Sequence, residues 1–133
     1  MTRYIAAYVA TLVVFLAIDS VWLSIMSSRL YKPTLGDILL PKFLPGPAVA
    51  FYLMFVVGVV IFAVAPAMKS GEWTTALIYG ALFGFFSYGV YDFTNLATLR
   101  NWTATITAAD VVWGTVLTGT SATLGYLASR LVP

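Results

Sequence analysis

Three aspartates, Asp19, Asp92 and Asp110, stand inside long apolar stretches where a carboxylate is costly, and chemistry in this chain is sought there first. An ionisable side chain in the hydrocarbon core costs at least about 2.5–3.5 kcal/mol, so three of them need a partner or a task. Tyr88, Asp92 and Asn95 recur at i, i+4 and i+7, the spacing of one helix face, with Tyr91 beside them. Asp19-Ser-Val-Trp22 and Asp110-Val-Val-Trp113 repeat one spacing. Residues at i and i+3 share a face, so each indole is expected near the aspartate of its own helix, as a hydrogen-bond donor. Candidate ligand- or ion-binding residues are therefore Asp19, Asp92, Asp110, Asn95, Tyr88, Tyr91, Trp22 and Trp113. Such a set can share protons, bind Na⁺, Mg²⁺ or Ca²⁺ through oxygen, hold a cationic ligand, or face a wet vestibule. Neutral aspartic acids that only tie helices together are the structural alternative.

Positioning these residues takes elements that a bilayer accepts. Of 133 residues, 61% are hydrophobic and 9% charged, with a mean hydropathy of +0.94. Soluble domains carry about 25% charged residues, so a soluble globule is excluded. A span takes about 20 mostly apolar residues. Four stretches qualify, at about Tyr4–Met26, Pro47–Met68, Trp73–Leu96 and Thr105–Leu131. None alternates as a barrel strand would. The expected fold is a single all-α domain over residues 1–133, a four-transmembrane-helix bundle. The first stretch is too long for a signal-peptide core and reads as an uncleaved helix.

The connections differ in length. Lys69-Ser-Gly-Glu72 and Arg100-Asn-Trp102 are tight turns. Ser27 to Gly46 is longer and carries Pro33, Pro41 and Pro45, with Pro47 just beyond. Proline disfavours a continuous helix there, and Asp37–Leu44 mixes charge with apolar bulk, so a proline-rich interfacial connection is expected. Four spans put both termini on one side with Arg3, Lys69 and Arg130, against Arg29, Lys32, Lys42 and Arg100 on the other. That distribution does not fix orientation. Counted along helices, all three aspartates fall on the second side, roughly 12–15 Å from its boundary.

The remaining composition narrows function. Without cysteine or histidine, haem, iron–sulfur and zinc sites are not expected. No cofactor is implied beyond a possible Na⁺, Mg²⁺ or Ca²⁺. A net charge of +2, scattered along the chain, gives no footprint for nucleic acid. Gly80-x-x-x-Gly84, with Gly114, Thr118, Ala122 and Gly125, suits close helix packing within the bundle or at a dimer face. Trp22, Trp73, Trp102, Tyr31 and Tyr126 lie near span ends, where an aromatic belt is expected.

Phe15-Leu-Ala-Ile-Asp19-Ser-Val-Trp22, Tyr88-Gly-Val-Tyr91-Asp92-Phe-Thr-Asn95-Leu-Ala-Thr-Leu-Arg100 and Asp110-Val-Val-Trp113-Gly-Thr together resemble a family of bacterial predicted membrane proteins, domain of unknown function 2177. The resemblance runs over nearly the whole chain. It implies a multi-pass protein of the bacterial inner membrane and brings no reaction, ligand or site. Function therefore rests on the residues. The first reading is binding or transport of a proton, metal cation or small cationic or amphipathic ligand, with a homodimer or larger membrane complex as the working form. The alternative is a small enzyme modifying a lipid or isoprenoid, an aspartic acid serving as general acid or as Mg²⁺ ligand. A third is a non-catalytic subunit or assembly factor.

Overall fold

The computed structural model describes all residues, Met1–Pro133, and is all-helical. Four long helices follow one another: α1 (Thr2–Leu35), α2 (Pro45–Ser70), α3 (Trp73–Thr98) and α4 (Ala104–Ser129). The first three are long and apolar enough to cross a membrane. α4 is as long as α2 and α3, yet its Thr, Ser and Gly content makes it less apolar. Its position explains that composition. It packs along both α3 and α1 and meets α2 as well, burying twelve of its residues. What it leaves outside is a narrow stripe that includes Ala104, Ala108, Val112, Val116, Leu124 and Leu127. A helix largely enclosed by three others can carry small polar residues that a lipid-facing helix cannot.

The outer helices show the complementary pattern. α1 presents Ile5, Val9 and Val13 outward, α2 presents Met54, Ile61 and Phe62, and α3 presents Phe86, Val90 and Phe93. So much exposed apolar surface has no counterpart on soluble monomers and is what a lipid-embedded bundle displays. Inside lies one core of small and branched side chains, among them Ala7, Val56, Val59, Ala63, Ala76 and Leu117.

Helices run alternately up and down. Arg3 Nε donates to the Ser129 carbonyl at 3.2 Å, joining the start of α1 to the end of α4. Met1, Lys69 and Pro133 line a single surface hollow, so both termini and the α2–α3 turn share one end. That turn ends α2 on Gly71, whose φ of +77° is the left-handed C-cap that glycine adopts freely. At the opposite end Leu35, Trp102 and Ile106 form a small second core, packed by Leu30 and Tyr31.

Helix limits agree with the sequence within a few residues, except at the end of α1. The expected break after Met26 does not occur: α1 continues nine residues further, through a wide π-type turn at Ser27–Tyr31 and a last turn at Lys32–Leu35. A second π-type turn, Val60–Val64, interrupts α2. Each wide turn ends two residues before a proline, Pro33 and Pro66. A proline ring clashes with the carbonyl four residues back, and local widening of the ladder is one way a helix carries it onward. The non-helical connection is thereby shortened to residues 36–44, and Pro45 and Pro47 lie in the first turn of α2, where a missing N–H costs little.

Candidate functional site

Each of the three aspartates is fixed by a different helix. Asp19 is on α1, Asp92 on α3 and Asp110 on α4, and their environments differ.

Asp19 is buried, and both its oxygens hold a donor from another helix. Tyr52 of α2 donates its O–H to Oδ2 at 2.5 Å, and Trp113 of α4 donates Nε1–H to Oδ1 at 3.1 Å. Asp110 accepts on Oδ1 from the Tyr31 hydroxyl at 2.7 Å, and that hydroxyl in turn accepts from Trp22 Nε1 at 3.2 Å. The two Asp-x-x-Trp segments therefore exchange partners. The expectation that each indole serves the aspartate of its own helix is corrected: Trp113 reaches across to Asp19, and Trp22 serves Asp110 through Tyr31. The exchange is possible because the two indoles stack, with centroids 4.3 Å apart and planes 8° from parallel. Chain spacing alone does not reveal this crossed arrangement.

Asp92 has no exposed surface, and neither of its oxygens receives a hydrogen bond from an N–H or O–H group. Its near acidic neighbour is Asp110 on α4, and no donor lies between the two. A buried carboxyl without a donor needs a proton or a cation beside it, since a bare buried carboxylate is far too costly.

Around Asp19 and Asp110 lies a cleft of about 450 Å³, within the range of small-molecule sites. All four helices contribute to it. Asp19, Trp22 and Leu23 come from α1, and α2 adds Phe51, Tyr52 and Phe55. Ser87, Tyr88 and Tyr91 close the α3 side, with Asp110 and Trp113 on α4. No Lys or Arg is among them. Tyr88 can lie flat against α4 because position 114 is glycine: a Cβ there would run into the ring. Gly84 permits the same closeness one turn away, where a Cβ would strike the Gly114 carbonyl and the Thr118 side chain. The small residues thus set the width of the cleft as well as the packing of α3 on α4.

A second cavity, about 850 Å³, adjoins the first and shares Leu23, Tyr91 and Asp110 with it. Leu35, Ile38, Leu39 and Phe43 wall it, so the 36–44 connection lies over this end of the site. Asn95 faces this second cavity and is absent from the first. No group of three or more acidic residues converges closely enough to hold a metal ion.

The structure therefore brings Asp19, Asp110, Trp22, Trp113, Tyr88 and Tyr91 around one cleft, seats Asp92 behind Asp110, and sets Asn95 next door. Tyr31 and Tyr52 lie outside the set expected from the sequence. Spacing places Tyr31 in an interfacial belt, because a helix interrupted after Met26 does not carry it back to Asp110. Tyr52 has a readable signal: a phenol several residues inside an apolar span needs an acceptor, and the carboxylates are the acceptors at that depth. Trp102 and Tyr126 also depart from the belt. Both are buried, and Trp102 Nε1 donates to Thr107 Oγ1 at 3.2 Å.

No curated protein and no solved structure matches the chain significantly. The family model described as Predicted membrane protein (DUF2177) matches residues 4–127, and the chain belongs to that family.

Proposed function

We propose that the protein crosses the bacterial inner membrane four times and takes up a cation, whether a proton, a metal ion or a small cationic ligand, in the Asp19–Asp110 cleft, for binding or transport. The observation that carries this reading is electrostatic. Two carboxylates face one apolar cleft without a basic side chain, and a third, Asp92, is buried beside Asp110 without a donor. Such a group of acids is incomplete until positive charge enters. The reading treats α4 as the fourth span; its enclosure by the other helices accounts for its lower hydropathy.

The test uses the Trp22–Trp113 stack as a built-in reporter on the cleft wall. Protein reconstituted in nanodiscs is titrated with Na⁺, Mg²⁺ and tetramethylammonium while tryptophan fluorescence is followed. At least one cation is expected to give a saturable change that Asp19→Asn and Asp110→Asn weaken. Isotherms unaltered in both variants overturn the reading.

A second reading, a lipid- or isoprenoid-modifying enzyme with Asp110 as general acid, draws on the apolar cavity that meets the cleft at Asp110. It requires an altered lipid profile in a deletion strain; an unchanged profile removes it.

A further inference from the structure

The walls of the cleft say more about the cation than its charge does. Seven of the eleven lining residues are aromatic, and the only formal charges are two carboxylates. Metal ions are poorly served there. Mg²⁺ and Ca²⁺ ask for six or more oxygen ligands, and no three acids converge. Asp19 already holds Tyr52 on one oxygen and Trp113 on the other. Opening those bonds to coordinate a metal would strand a phenol and an indole in an apolar wall. A cation that has no N–H to donate makes no such demand. It needs nearby negative charge and the electron-rich faces of rings, which is how quaternary ammonium groups are recognised. The volume, about 450 Å³, holds a group of that kind with an attached ring or short chain and is generous for a bare ion. The second cavity, which shares Leu23, Tyr91 and Asp110 with the cleft, lies beside it with largely apolar walls.

We infer that the cleft between Asp19 and Asp110 is a site for an alkylated organic ammonium ion, held by cation–π contact with its aromatic walls and by the charge of the two aspartates. This rests on the cation reading above and names its ligand class. Tyr52 and Trp113 keep Asp19 oriented while leaving its charge to act through space. Phe51 and Phe55, on α2, supply ring surface without any polar role.

The experiment is a fluorescence titration of the nanodisc-reconstituted protein with benzyltrimethylammonium, beside neopentylbenzene, its uncharged carbon isostere, and beside Na⁺ and Mg²⁺. Benzyltrimethylammonium is expected to bind saturably and at least about tenfold more tightly than the isostere. Phe55→Leu is expected to weaken it about threefold to tenfold, the loss of one ring face. Asp19→Asn is expected to weaken it further while leaving the isostere unaffected. If Na⁺ or Mg²⁺ binds in an Asp19- and Asp110-dependent way and benzyltrimethylammonium does not, the ligand class is overturned and the cation reading stands. If the ammonium and its isostere bind equally, or if no cation binds, both fall. Should either variant fail to fold, the comparison of charged and neutral isosteres on the parent protein still decides.

Discussion

Tyr52 and Trp113 each give Asp19 one hydrogen bond from a separate helix, and removing either leaves a buried carboxyl oxygen without its donor. Tyr52→Phe is expected to lower stability by about 1 kcal/mol, within the range of interhelical hydrogen bonds in membranes. Thermal unfolding in detergent reads this directly. Asp92→Asn should behave in the opposite sense. An amide carries its own donor and can bond the Asp110 carboxyl without borrowing a proton, so the unfolding midpoint should equal or exceed that of the parent. A clear drop would mean that Asp92 has a partner other than Asp110. The aspartates themselves were legible in the sequence, because charge within an apolar run is conspicuous. Their donors were less so: Tyr52 leaves a signal as a phenol inside an apolar span, while Tyr31 and the exchanged indoles arrive from beyond an irregular turn or from another helix.

At the scale of elements, the wide turn at Ser27–Tyr31 decides where Tyr31 points. Deleting Ser28 would let the wide turn close to an ordinary α-helical turn, and Tyr31, the last residue of that turn, is expected to lose its reach to Asp110. Tyr31→Phe, which costs stability in the parent, is expected to cost nothing more in the deletion background, a thermodynamic cycle that unfolding midpoints can close. Equal costs in both backgrounds would show that the turn does not position Tyr31. Pro33 marked the irregularity in the sequence, but a proline predicts a break as readily as a wide turn, and only packing against α4 selects the continuous helix. The α3–α4 contact was better signalled, since Gly84 and Gly114 stood out as small residues in bulky company. Gly114→Ala puts a methyl group into the Tyr88 ring. It is expected to destabilise the bundle by about 1–3 kcal/mol, as overpacking does, and to weaken cation binding by displacing Tyr88. Unfolding and fluorescence titrations of the same preparation measure both effects.

For the molecule as a whole, composition alone announced a membrane protein, and long apolar runs located four helices to within a few residues, save the last nine residues of α1. Which helix lies enclosed was not readable from hydropathy: α4 looks least like a span because it is the one most covered by others. The absence of cysteine makes topology easy to test. Single cysteines at Ser70 and Leu40, both exposed and at opposite ends of the bundle, should be labelled by a membrane-impermeant maleimide from opposite faces of the membrane. Labelling from the same face would remove the four-span arrangement. The central claim is that positive charge completes the acidic cleft, and a high-resolution map of the reconstituted protein with benzyltrimethylammonium tests it most directly. The expected result is compact density between Asp19 and Asp110, against the aromatic wall of the cleft. A cleft occupied by a lipid chain, with the cation absent from both carboxylates, would contradict it.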